Sequence, residues 1–127
     1  MALQHDVNLM SLPAGADLSS AQYHFVELAS DGECILVDAA GAASIGINYG
    51  KPSAAGTITS IRPLDGNIAL VEAAEAITIG GFVASNAAGE AIALVTGHVP
   101  LGVALTTGVN GTIMRIITIN QGAIIAA

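Results

Sequence analysis

Residues 57–61 alternate. Ile58 and Ser60 fall on one side of an extended chain, and Thr57, Thr59 and Ile61 on the other. A period of two is the mark of a β-strand with unlike faces. Most of the chain repeats this theme as short apolar runs closed by turn residues. Residues 22–29 carry the strand formers Tyr23, Phe25 and Val26. Asp31-Gly32 then turns the chain and residues 33–38 return, which is a hairpin pattern. A second hairpin is expected across Asp38-Ala39-Ala40-Gly41 into residues 42–48. Asp65-Gly66 is a further turn, with short strands at residues 68–71 and 76–79. Residues 82–85 run into the turn Asn86-Ala87-Ala88-Gly89, and residues 91–95 return. Residues 101–106 form a strand, Val109-Asn110-Gly111 a turn, and residues 112–119 the last long strand. Only residues 70–76 have helix-forming composition, and that stretch is short and flanked by Gly66 and Gly80. Short strands at such spacing predict an all-β fold, a small barrel or sandwich of antiparallel strands.

Residues 1–20 lack a clean period and read as an extended arm ahead of a β-domain spanning residues 21–127. Leu3, Val7, Leu9, Met10 and Leu12 are its candidate contact residues, since such a segment is ordered only where it docks. Asp17-Leu18-Ser19-Ser20 reads as a turn or a short capped start. One echo is visible: Val37-Asp38-Ala39-Ala40-Gly41-Ala42 resembles Ser85-Asn86-Ala87-Ala88-Gly89-Glu90. An Asx residue followed three positions later by Gly suits one type of tight turn, so the echo reads as one turn solution used twice. A repeated unit is the alternative. The tail, residues 122–127, is apolar and could pair or dock.

Composition changes the picture by what is scarce. The chain is 53% hydrophobic, only 10% charged and 3% aromatic, without tryptophan. A free-standing domain usually carries about 25% charged residues. Too few charges remain to coat the outside, and large apolar surface on a soluble protein generally faces another protein. A net charge of -7, with only Lys51, Arg62 and Arg115 as cations, argues against nucleic acid. The apolar runs are interrupted too soon to cross a bilayer as helices, and the N-terminus lacks the basic-then-apolar order of a secretory signal. Cys34 is the only cysteine. It allows no intrachain disulfide and reads as a buried thiol. Synthesis in the cytoplasm fits.

Motifs for chemistry are weak. Gly46 to Ser53 brushes a phosphate-binding loop, but the spacing to Gly50-Lys51 is one residue short and Pro52 stands where the magnesium-binding hydroxyl belongs. His5, His24 and His98 have no local ligand spacing, so no metal site is expected. Glu72 and Glu75 are the closest suggestive carboxylate pair, yet a sugar cleft would want more aromatics than Tyr23, Phe25, Tyr49 and Phe82. No Gly-x-Ser-x-Gly nucleophile turn is present. No catalytic residue, cofactor or enzymatic activity is expected.

The order of several segments does resemble a known family. Asp17-Leu18-Ser19-Ser20-Ala21-Gln22-Tyr23-His24-Phe25-Val26 resembles the start of small phage capsid decoration, or cement, proteins. Ala76-Ile77-Thr78-Ile79-Gly80-Gly81, Val83-Ala84-Ser85, Gly89-Glu90-Ala91, Leu101-Gly102-Val103-Ala104-Leu105 and Gly111-Thr112-Ile113-Met114 continue it. The resemblance spans residues 17–119. It implies a β-rich virion protein that binds the outer surface of a tailed-phage shell, contacts the major capsid protein and stabilises the expanded head. A homotrimer is the expected assembly, with a dimer as alternative. Two rival readings are another virion module, of tail or baseplate, and a small β-barrel binding module for sugar or peptide.

Overall fold

The turn residues do close the strands, and they do so twice over. In the computed structural model, which describes residues 9–120, ten strands form two antiparallel sheets of five and no helix occurs among the described residues. The first sheet holds β1 (Met10–Pro13), β2 (His24–Leu28), β3 (Cys34–Leu36), β4 (Gly46–Asn48) and β5 (Ile58–Pro63), in the spatial order β1-β5-β4-β2-β3. The second holds β6 (Ile68–Glu72), β7 (Phe82–Ser85), β8 (Ala91–Ala93), β9 (Gly102–Ala104) and β10 (Ile113–Thr118), in the order β6-β10-β9-β7-β8. The all-β reading holds.

The two orders are the same order, shifted by five strands. The chain is therefore a tandem structural repeat, and the match extends to single hydrogen bonds. Ala14 N donates to Thr57 O at 2.9 Å, and Ala73 N to Thr112 O at 2.8 Å. The isolated parallel bridge Ala14–Cys34 is repeated by Ala73–Ala91. Gly46 and Gly102 hold equivalent places, each opposite the last long strand of its sheet. A Cβ on Gly46 would lie 2.6 Å from Arg62 O, and one on Gly102 would lie 2.8 Å from Ile117 O, so only glycine lets these strands approach.

The echo seen in the sequence joins two turns that the repeat does not equate. The Asn86–Gly89 turn, with Gly89 N donating to Asn86 O, corresponds to the turn in which Gly32 N donates to Ala29 O. Asp38 to Gly41 lies elsewhere and is bonded differently: Gly41 N donates to Ser85 O, and the local turn bond runs from Ala42 N to Ala39 O. It also closes no hairpin. Strand β4 pairs with β2, not with β3, so this turn carries the chain across the sheet. Residues 76–79 form no strand; Ile77 makes only an isolated bridge to Gly108.

From Met10 onward the segment read as an arm is woven into the first sheet: β1 pairs with β5, with Met10 opposite Ile61 and Leu12 opposite Thr59. Met10 and Leu12 pack on a cluster made by Ala14, Leu18, Ala21, Val26, Cys34 and Ile61. Leu9 is exposed, and Leu3 and Val7 lie outside the described residues.

That cluster covers one face of the first sheet. Its other face sends Phe25 and Ile47, both fully buried, into a second and larger cluster with Val71, Val83, Met114 and Ile116 of the second sheet. Adjacent residues on a strand point to opposite faces, so Phe25 and its neighbour Val26 serve the two clusters in turn. The first sheet is the middle layer of the molecule. Its central strand also buries Asn48, whose amide donates to Ala21 O and Gly50 O at 3.0 Å each while its oxygen accepts from Thr59 Oγ1 at 2.7 Å. A buried amide with its bonds satisfied ties the approach to β2 to the β4–β5 ladder at little desolvation cost.

The repeat pairs Phe25 with Phe82, yet Phe25 is 0% exposed and Phe82 is 52% exposed. Removing the first ring opens a cavity between sheets, and removing the half-exposed second trims only the outer surface. Chemical denaturation of the isolated protein should show Phe25→Ala costing about 3–5 kcal/mol and Phe82→Ala within about 0.5 kcal/mol of wild type. Equal losses would contradict the layered arrangement.

Candidate interaction surface and side-chain cluster

Among the described residues, nothing covers one face of the second sheet. Strand β10 alternates strictly, with Met114, Ile116 and Thr118 inward and Ile113, Arg115 and Ile117 outward. Cross-strand pairing extends the outward set sideways. Ile117 stands opposite Ile68 on β6 and opposite Val103 on β9, and Val103 stands opposite Phe82 on β7. Directly paired residues share a face, so Ile68, Ile117, Val103 and Phe82 form one apolar row across four strands. Ile68 and Phe82 are each 52% exposed and Ile117 is 41% exposed. Beyond Phe82 the row passes into an open trough of about 300 Å³ lined by Ile77, Gly81, Phe82, Ala93 and Leu94. Arg115 is the one charge on the outward face of β10.

Three members of this row, Ile117, Val103 and Phe82, have the buried counterparts Arg62, Ile47 and Phe25 in the first repeat, while Leu9, which matches Ile68, is exposed. Ile47 and Phe25 face the second sheet, and the Arg62 guanidinium donates to Ile68 O at 3.2 and 3.3 Å. The bare face of the second sheet thus repeats a surface that the fold already uses as an interface.

A polar cluster lies where the two repeats meet. Tyr23 precedes β2 with φ 66°, a backbone conformation that side chains rarely adopt; its counterpart is Gly80, φ 85°. The Tyr23 ring packs edge-on against Tyr49, centroids 5.2 Å apart, and its carbonyl accepts from Glu72 N at 2.9 Å. Strain of this kind persists where surrounding contacts fix it. Tyr23, Glu72 and Lys51 line an open cleft of about 340 Å³ together with Ser19, Gln22 and Ile113. Next to it, His24 is buried with Nε2 3.2 Å from Glu72 Oε1 and Nδ1 2.9 Å from Ala88 O. Glu90 completes the group: donor atoms of His24, Glu72 and Glu90 all lie within 4.8 Å of one another.

The turn before Glu90 makes this possible. Gly89 has φ 79°, and a Cβ there would lie 2.6 Å from Phe25 O, so glycine alone lets the turn rest on β2 and aim Ala88 O at His24. Sequence spacing missed the trio because its members come from β2, the end of β6 and the β7–β8 turn. No local motif signals it.

The other candidates separate. Glu75 accepts from Ala93 N at 2.9 Å, away from Glu72's partner His24. Gly46 to Asn48 is a buried strand, not a phosphate-cradling loop. The His98 ring packs against Gly41 and leaves no room there for a Cβ. Cys34 is fully buried, and burial pushes its thiol above the usual range.

No family model matches the chain, and no curated protein matches it in sequence. Among solved structures the fold is shared by the N base of head fiber gp8.5 of bacteriophage phi29. The TM-score is 0.69 at 17% identity, covering 87% of this chain and 94% of that one. At that identity the likeness is one of fold.

Burial also raises the Tyr49 phenol above its ordinary value of 10.0, while its hydroxyl accepts the Leu70 N–H at 2.8 Å. A folded-state value above the unfolded one means stability is complete below the unfolded value and lost as pH rises through the folded value. Unfolding free energy should therefore fall as pH is raised past 10.0, and less steeply in Tyr49→Phe. Parallel curves for the two proteins would contradict the assignment.

Proposed function

We propose that this protein is a phage head component that decorates the outer surface of the capsid shell and stabilises its expanded form. The observation that carries the reading is the apolar row of Ile68, Ile117, Val103 and Phe82 on the bare face of the second sheet. An exposed row of this length on a chain of net charge -7 suits a protein-facing surface. The shared fold with a phage head fiber base supports a place on the virion. The scarcity of charge and the family resemblance of residues 17–119 point the same way.

The mechanism is mechanical clamping. Phe82 is the aromatic anchor and the flanking aliphatics exclude water, the usual anatomy of a binding hot spot. Contacts made only on the expanded shell stabilise that state by mass action. A closed homo-oligomer multiplies weak contacts into high avidity. A trimer matches the local three-fold positions of an icosahedral shell, and a dimer is the alternative. The major capsid protein and sibling subunits are the partners. No chemical step is required.

Phe82→Asp and Ile117→Asp change outward positions and should leave the fold intact. Cosedimentation with empty expanded capsids of the phage that encodes the chain should show loss of binding by more than tenfold for either variant. Heating should then release capsid protein as from undecorated shells. Binding at wild-type strength by both folded variants would overturn this reading.

A further inference from the structure

We propose that His24, Glu72 and Glu90 form a divalent-cation site that staples the two repeats together. His24 belongs to the first repeat and both carboxylates to the second.

The hydrogen bonds around the imidazole carry the argument. A main-chain carbonyl can only accept, so the 2.9 Å contact with Ala88 O places a proton on His24 Nδ1. The other ring nitrogen, Nε2, is the one left to face Glu72 Oε1, 3.2 Å away, from a side chain only 10% exposed. An imidazole nitrogen and a carboxylate oxygen so placed can ligate one cation between them. Imidazoles that bind metals ordinarily donate their other N–H to a carbonyl or carboxylate, which sets the tautomer and the ring angle.

The supporting shell continues at Glu90. Asn86 Nδ2 donates to Glu90 Oε1 at 3.1 Å, while Asn86 Oδ1 accepts from the main-chain N–H groups of Ala88 and Glu90 at 2.9 Å each. One asparagine therefore orients a ligand carboxylate and shapes the turn that delivers Ala88 O to His24. One nitrogen and two carboxylate oxygens suit a borderline divalent ion such as zinc, bound at about 2.0–2.2 Å. The 3.2 Å His24–Glu72 separation fits adjacent ligands, and Glu90 offers an oxygen within 4.8 Å of both.

The site is not a by-product of the repeat. The places equivalent to His24 and Glu72 in the other copy hold Gly81 and Pro13. The trio exists only at the junction, where a bound ion would link β2 to β6 and to the β7–β8 turn.

Zinc is the probe, titrated calorimetrically into the full-length protein at pH 7.5. The expected result is one ion per chain, with a rise in thermal midpoint on saturation. Glu90→Gln, which keeps a half-exposed amide where the carboxylate was, should weaken binding by more than tenfold. Asn86→Ala should weaken it by about 10–100-fold, and His5→Ala should change nothing. Nitrogen NMR of the imidazole should show His24 Nε2, not Nδ1, shifting on zinc addition. Three results would overturn the proposal: no saturable binding, equal affinity in Glu90→Gln, or an Nε2 that keeps its proton in zinc. The last would mean that a His24–Glu72 ion pair alone occupies the junction.

Discussion

The insertion of Phe25 and Ile47 between the two sheets is the contact on which everything else depends. Each repeat alone is a five-stranded sheet with few large side chains, too small to bury enough apolar surface to fold well alone. Stacking solves this by making the first sheet apolar on both faces at its centre. Val26 and Ile61 serve one cluster, and Phe25 and Ile47 serve the other. The glycines at Gly46 and Gly102 keep the flanking strands close, and the satisfied amide of Asn48 locks the middle strand.

Such stacking is directional. The outward face of the first repeat packs on the inward face of the second, and among the described residues the second repeat's own outward face is left without a cover. That face is the second sheet's, and Phe82, Val103 and Ile117 on it hold the places of the buried Phe25, Ile47 and Arg62. Residues 76–127 carry only Glu90 and Arg115 as charges, in keeping with a second sheet whose inner face is buried and whose outer face carries the apolar row. The same directionality creates the junction where a histidine of one repeat meets two carboxylates of the other.

Most strands were legible because local chemistry declares them. Alternation at residues 57–61 marked β5, and Asp31-Gly32 and Asn86 to Gly89 marked two true hairpins. Turn chemistry says that a chain reverses, not which strand it will join, which is why Asp38 to Gly41 reads as a hairpin and closes none. β1 was hidden because Met10-Ser11-Leu12-Pro13 is short and ends in proline, and its pairing with β5 spans a long separation in sequence. The repeat was hidden because it conserves shape and not side chains: Tyr23 stands for Gly80, Asn48 for Ala104, and Arg62 for Ile117. The apolar surface was foreseeable in amount from composition, but its position required the register of four strands. The His24 cluster lies wholly in tertiary structure.

Electron cryo-microscopy of expanded capsids saturated with the protein tests the central claim most directly. The account predicts density on the outer surface with the β6-β10-β9-β7 face buried against capsid protein or a sibling subunit. Bound subunits in which that face, Phe82 included, points freely into solvent would contradict it.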